Sequence, residues 1–406
     1  MNYSLKKLGA LTEVITKGTT PSNIGEDFSE TGIMYFRSEL IGKSKYIDKS
    51  IGLLYISEST HRKLKRSQIH SGDMLFSMAG AYLGKISLAR DEDIPANTNQ
   101  AVAIIRFIPG SCNIEYVYYY MMQSWYNNYI SSFNSQAAQP NINLSQIGKL
   151  IVNIPNRLIQ NRIVSVLSAY DSLIENNNKR IKVLEQMAEN LYKEWFVRFR
   201  FPGHENAEFE NGIPKGWKTR RFSSVANILS GGTPKTEYEE YYGGQIPFYT
   251  PKDSSENFFV FDTITKLTED GLRHCNSQLY PQNTIMITAR GTVGNLNLLA
   301  VPMAMNQSCY ALNSDTISSQ YFLFFLIKRE IQKIKKMASG GVFDTIIVNT
   351  FDHIKVLLPT DELINKFDLI VSSIMKEVYS LSKQNINLIK QRDLLLPRLM
   401  SGKLEV

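Results

Sequence analysis

Arg290 sits in the segment Ala289-Arg-Gly-Thr-Val-Gly294, directly after the apolar run Thr284-Ile-Met-Ile-Thr288. Glycines beside an arginine let the backbone come close to a ligand, and the guanidinium fork is the best side chain for a guanine edge. The same residues suit a tight turn in which the arginine pairs with a carboxylate, so both readings stand. The segment is not a phosphate-cradling P-loop, because no Lys-Ser or Lys-Thr follows at the required spacing. A weaker echo, Ala79-Gly-Ala-Tyr-Leu-Gly84, stands in the first half of the chain. Gly18-Thr-Thr-Pro21 and Gly231-Gly-Thr-Pro234 form a second pair of candidates. Their composition prescribes a tight turn at a strand edge, which can also bring backbone N–H groups and the Thr19 or Thr233 hydroxyl to a phosphate. Asn99-Gln100 and Asn306-Gln307 carry the side chains for bidentate contact with adenine. Their recurrence in both halves suits a structural task better, holding a turn by side-chain hydrogen bonds.

Lys17, Arg37, Lys43 and Lys45 in the first half, and Lys235 and Lys252 in the second, join Thr19, Arg290 and Thr292 as candidate contacts to a polyanion. Tyr35, Tyr46, Tyr249 and Thr250 stand among them as sources of base-edge or sugar contacts. Any one of these cations is better explained as a solvated surface charge; as a set, some are expected to touch the polyanion. A net charge of +7 and 43% hydrophobic residues describe a globular protein compatible with a polyanionic partner without establishing one. The sequence has no Asn-Pro-Pro-aromatic methyltransferase motif, Walker A lysine, His-Glu-x-x-His or Ser/His/Asp grouping. His274-Cys275 offers two adjacent ligand types where a structural zinc site needs four. No catalytic residue, metal or cofactor is therefore expected. Three scattered cysteines, no apolar run long enough to cross a membrane and no apolar leader after Met1 point to a reducing, cytoplasmic setting.

The elements that must position these residues occur twice. Ile15–Pro21 returns as Ile228–Pro234, Ser67-Gln68 as Ser277-Gln278, Gly84 as Gly294, and Asn99-Gln100 as Asn306-Gln307. This is a duplicated domain plus helix, too long a period for a solenoid. Each copy opens with short β-rich runs, such as Ala101–Phe107, alternating with Gly, Asn and Pro. The first also carries a helix expected over Ile114–Ile130. A heptad seam then runs through Ile163, Leu167, Tyr170, Ile174, Asn177, Ile181, Leu184, Ala188, Leu191 and Trp195. A second runs through Phe367, Val371, Ile374, Val378, Leu381, Asn385, Leu388 and Leu395, until Pro397 is expected to break the helix. Asn177 is either a register-fixing seam residue or a surface residue at a helix irregularity. So apolar a stripe needs cover. The simplest cover is antiparallel packing of the two helices, which would place the two globular parts at opposite ends of one rod. Trp195, Phe196, Phe199 and Phe201 form either a packing plug or a surface for a partner.

The order and spacing of these landmarks, with Ile154-Pro155 and Leu358-Pro359 before the helices, Glu194–Phe199, Pro214-Lys-Gly-Trp217 and the tail Leu395–Gly402, resemble the specificity subunit of type I restriction–modification systems along nearly the whole chain. The first half lacks the Pro-Lys-Gly-Trp opener. The resemblance implies an α+β protein with two pseudo-repeated target-recognition domains separated by two long antiparallel coiled-coil helices. The expected parts are residues 1–155 (first domain), 156–200 (first helix), 201–212 (linker), 213–359 (second domain), 360–396 (second helix) and 397–406 (tail). It further implies binding of double-stranded DNA at a bipartite, asymmetric site, with half-sites about one helical turn apart. Methyltransferase subunits, two of them, would dock, with Tyr192, Trp195, Phe196 and Leu395 as candidate contacts. Restriction subunits would join through the methyltransferase, and the chain itself would do no chemistry. The poor match between halves across Glu26–Ile51 and Tyr238–Phe261 fits two domains that read different sequences. Two rivals remain: a coiled-coil interaction protein, separated by its affinity for duplex DNA, and a self-contained methyltransferase, separated by S-adenosylmethionine binding.

Overall fold

The computed structural model describes residues 3–49, 52–132, 141–337 and 345–405. Met1, Asn2, Ser50, Ile51 and Val406, which fall in the expected first domain, its dissimilar segment and the tail, lie outside them. The chain forms two compact units, residues 1–174 with 388–406, and residues 175–387.

In the first unit an antiparallel sheet has the strand order Thr12–Lys17, Val102–Phe107, Met74–Ser77, Ile86–Leu88. The near-continuous apolar run of its second strand is explained by burial on both faces. Ala103, Ile105 and Phe107 enter a core with Met74, Phe76 and the tyrosine-rich helix Ile114–Met121. The alternate residues Val102 and Ile104 enter a second core with Leu75, Phe36 and Ile69. A second sheet, ordered Leu54–Ile56, Ile33–Phe36, Ala96–Thr98, Gln68–Ile69, lies beyond and contains one parallel pair, Phe36 opposite Thr98. The strand Ser4–Lys7 pairs with the last strand, Ile151–Ile154, and so closes the domain.

The second unit repeats this plan. Its main sheet is ordered Asn227–Ser230, Cys309–Asn313, Ile285–Thr288, Leu296–Leu299, Phe259–Val260. The second sheet again holds a parallel pair, Tyr249 opposite Met305, and Lys218–Arg221 closes the domain against Lys355–Leu358. Alternation is again two-sided: Ile285 and Ile287 face one core and Met286 the other.

Two helices of 40 residues each, Arg157–Phe196 and Asp361–Met400, contribute to both units. Asn156 starts the first by accepting the Ile159 N–H at 3.0 Å. Every seam position read from the sequence is buried or half-buried. Within the first unit Ile163 and Leu167 share a core with Leu396, Leu399 and Met400, and Arg392 meets Asp171 at 2.6 Å. Within the second unit Asn177 donates to Asn385 Oδ1 at 2.9 Å and Gln384 Oε1 at 2.8 Å, Arg180 meets Glu377 at 2.7 Å, and Trp195 packs on Phe367. Partner numbers fall as the first helix advances, so the packing is antiparallel in each unit. Asn177 is the buried seam residue, bonded to its counterpart.

Two expectations need correction. Pro397 does not end the second helix, which continues to Met400. Burial of Leu396, Leu399 and Met400 holds the last turn, at roughly 1.5–3 kcal/mol for each fully buried side chain. The helix expected over Ile114–Ile130 is two helices, Ile114–Met121 and Ser124–Ser132. The break lets Tyr116, Tyr119, Tyr126 and Ile130 all reach one core.

Candidate nucleic-acid interface

The Gly-Thr-Pro turns and the Asn-Gln pairs are two halves of one device, present in both domains. A Cβ on Gly18 would lie 2.0 Å from the Thr98 carbonyl oxygen, and one on Gly231 would lie 2.4 Å from that of Met305. Only glycine admits this approach of one backbone to another. The Thr20 hydroxyl then bonds Gln100 Oε1, and the Thr233 hydroxyl bonds Gln307 Oε1. Asn99 Oδ1 accepts the Ala101 N–H at 3.2 Å, and Asn306 Oδ1 accepts the Ser308 N–H at 3.0 Å. The Asn-Gln pairs are thus spent on the turn. Thr20, not Thr19, is the counterpart of Thr233. Thr19 is half-buried, its backbone held by Thr98 (3.0 Å) and by the Tyr35 hydroxyl (3.1 Å).

The glycine-flanked loops come next. Ala289 donates to the Ser308 carbonyl (2.8 Å) and accepts from the Ile346 N–H (2.9 Å); Met78 does the same with Ala101 (2.8 Å) and Ile142 (2.9 Å). Gly291 and Gly294 have φ of 77° and 75°, and Gly80 and Gly84 have 69° and 79°. These matches set Met78 opposite Ala289, Ala79 opposite Arg290 and Gly80 opposite Gly291. The first loop is one residue longer, so pairing by sequence alone slips by one.

In the second domain the loop leans on the turn Pro251–Asp253. The Ser254 and Thr292 hydroxyls are 3.0 Å apart, Asn295 Nδ2 donates to Ser254 Oγ at 3.3 Å, and a Cβ on Gly291 would touch Pro251 at 3.6 Å. Lys252, Arg290 and Thr292 are thereby brought together, all exposed. Lys235, also exposed, follows the Gly-Thr-Pro turn 3.6 Å from Glu237 and over the Tyr238 ring. Ser254 and Asn295, which tie the two loops, carry no motif that marks them in the sequence.

The first domain offers less charge at the equivalent place. Arg37 pairs with Glu39 at 3.0 Å, and Lys43 with Asp48 at 3.4 Å. Lys17 is half-buried at the end of its strand, beside the Gly18 turn. Lys45 does not belong to the set. It is 6% exposed, paired with Glu115 at 2.8 Å and packed against the Tyr46 and Tyr119 rings, so its ammonium is spent inside the domain. Tyr35 and Tyr249 are likewise withdrawn into cores. Burial pushes the Tyr35 hydroxyl up to about 12, which keeps it the donor to Thr19. Thr250 is engaged by Asp253 at 2.7 Å.

The candidate partner contacts are also corrected. Tyr192, Trp195 and Phe196 are buried in the second unit against Phe322, Phe325 and Phe367, with Trp217 on Phe196. Leu395 is half-buried against the first core. Apolar stripes at the end of the first helix are covered by the chain's own aromatic residues. Among the described residues, no group of three or more His, Cys, Asp or Glu is placed to hold a metal ion, and no helix is long and apolar enough to cross a membrane.

Comparison with known proteins agrees with this architecture. A sequence model of the type I restriction modification DNA specificity domain matches residues 2–186 and again 214–391. The type I restriction enzyme MjaIX specificity subunit of Methanocaldococcus jannaschii is 25% identical over all of this chain and 94% of its own length. The HindI specificity subunit of Haemophilus influenzae is 26% identical over 65% of this chain and 71% of its own. The crystal structure of the type I restriction–modification S subunit from M. genitalium superposes with a TM-score of 0.57 at 16% identity, covering 98% of this chain and 96% of that one. A duplicated domain, a repeated turn device and two long helices meet one family's pattern twice in one polypeptide, and the chain belongs to the family of type I restriction–modification specificity subunits.

Proposed function

We propose that this chain reads a two-part, asymmetric sequence in double-stranded DNA, one part with each domain, and carries methyltransferase subunits to it. One observation supports this above the others. The frame around the candidate interface is the same in both domains down to individual hydrogen bonds, while the side chains it displays differ: Lys252, Arg290 and Thr292 in one, Arg37, Lys43 and Ala79 in the other. Phosphate contacts position a protein on DNA and base contacts specify the sequence. A constant frame with variable display is what two unlike half-sites require. Lys17, Thr19, Arg37 and Lys43 serve the first half-site; Lys235, Lys252, Arg290 and Thr292 serve the second.

In this reading two methyltransferase subunits dock, restriction subunits join through them, and the chain contributes recognition without catalysis, in the cytoplasm where the DNA is. The test is a titration of duplex DNA carrying the target with the assembled methyltransferase complex at several salt concentrations. If about three or four phosphates are neutralised, log affinity falls against log salt with a slope of about −3 or steeper. Binding that ignores salt, or that fails to prefer the target over unrelated duplex, contradicts the reading.

A further inference from the structure

We propose that the outer edges of the two short basic strands Ser4–Lys7 and Lys218–Arg221 each accept an acidic, extended segment of a partner bound in two copies. All four residues of each strand are exposed, and among the described residues each strand has a single neighbour, which leaves one edge of each unpaired there. The Leu8 N–H donates to the Leu150 carbonyl at 2.7 Å, and the Phe222 N–H donates to the Ile354 carbonyl at 2.8 Å. Alternation along an antiparallel ladder therefore turns the backbone groups of Leu5 and Lys7, and of Thr219 and Arg221, outward, the Arg221 carbonyl already accepting the Ser224 hydroxyl at 2.7 Å. The two domains present the same free edge in the same register.

Lys6 and Lys7 mark one edge; Lys218, Arg220 and Arg221 mark the other, with Lys355 directly opposite Arg221. Like charges facing each other across a pair of strands are destabilising. Among the described residues none of these six cations has an ion pair. Lysine on an edge discourages pairing with another such edge. Uncompensated cations, opposite one another at Arg221 and Lys355 and adjacent along the strand at Lys6 and Lys7, go further, because they favour an added strand that carries carboxylates. Lys218 and Arg220 also line a cleft of about 570 Å³ with Ser224, Thr316 and Thr360, in which Asp361 is the one acidic residue.

DNA held at the reading turns does not explain this surface. The six-residue strand Thr12–Lys17 and the four-residue strand Asn227–Ser230 run from these edges to the Gly-Thr-Pro turns. They set the two features about 20 Å and about 13 Å apart, at opposite ends of one strand. Two equal sites on the frame, away from the variable loops, fit a protein that is the same at both. Strand addition to a free edge supplies affinity through the backbone and selectivity through the side chains. Resting on the assembly reading above, the occupant is an acidic segment of the methyltransferase subunit.

The experiment is native mass spectrometry of the chain purified with the methyltransferase subunit of its own system. Wild-type chain takes up two copies. Lys6→Glu with Lys7→Glu leaves one, Arg220→Glu with Arg221→Glu leaves one, and the fourfold variant leaves none. Arg220→Gln with Arg221→Gln, a milder change, weakens uptake of one copy about tenfold. Circular dichroism of each free variant matches wild type, and assembly slows hydrogen exchange at the Thr219 and Leu5 amides. Folded variants that retain both copies overturn the proposal. So does a loss of DNA affinity at unchanged stoichiometry, which would assign the edges to phosphates. A wild-type chain that takes up no methyltransferase subunit overturns the assembly reading and this proposal together.

Discussion

Gly18 and Gly231 face the same obstacle in the two domains, a carbonyl oxygen 2.0 Å and 2.4 Å from where a Cβ would stand, and each turn is then fastened by a threonine on a glutamine. In the glycine-flanked loop the agreement ends: Arg290 stands exposed where the first domain has Ala79, and the first loop has one residue more. Backbone that must pass close to backbone allows one solution, so it is kept in both copies. A loop that faces outward is constrained only by what it touches. The comparison thus separates residues that hold the frame from residues that the proposed function assigns to reading.

The strongest way to break the comparison is to fill the close approach. Gly18→Ala and Gly231→Ala should each cost about 3 kcal/mol, because the neighbouring carbonyl belongs to a buried strand and has little room to yield. Denaturant unfolding followed with a probe in each domain checks this; an effect under about 1 kcal/mol at either glycine would show that the shared turn is loose. Next in size is Arg290→Ala. Loss of a bidentate arginine contact to a base costs about 1–3 kcal/mol at one position, roughly five- to 150-fold in affinity, with other positions unchanged. Ala79→Ser, at the matching place in the first domain, should leave affinity within about twofold, since surface changes usually stay within 0.5 kcal/mol. Binding to targets varied one base pair at a time distinguishes this from a phosphate contact, whose loss weakens all sequences alike. The smallest effect is expected at Thr20→Val and Thr233→Val. Each removes one hydrogen bond to glutamine and should cost about 0.5–1 kcal/mol, equally in the two domains. Unequal losses in thermal unfolding would mean that the two turns are not the same device.

Much of this was legible in the sequence, for physical reasons that differ by region. The helices show in a heptad repeat because their cover is another helix, and the buried Asn177 shows as a polar break in an apolar seam. The repeat shows because glycine and proline are needed where backbone geometry is extreme. The one-residue offset between the loops does not show, because Gly80 and Gly291 are matched by φ and hydrogen bonds, not by their neighbours. Lys45 reads as a surface cation because Glu115, its partner, is distant along the chain. Trp195 and Phe196 read as either a packing plug or a partner surface, because nothing local reveals that Phe322, Phe325 and Phe367 will cover them, and with Tyr192 they prove to be the plug. The last turn beyond Pro397 is likewise held by burial that no local rule anticipates. Residue type selects the candidates, and long-range pairing decides which of them reach solvent.

The most direct test of two readers on one frame is sequencing of modified bases in DNA from a host carrying the complete system, first with the natural chain and then with Arg290→Ala. The account predicts a motif in two parts separated by unspecified bases, with the arginine variant relaxing a position in one part and leaving the other part as it was. A single unbroken motif, or a variant that alters both parts together, would contradict it.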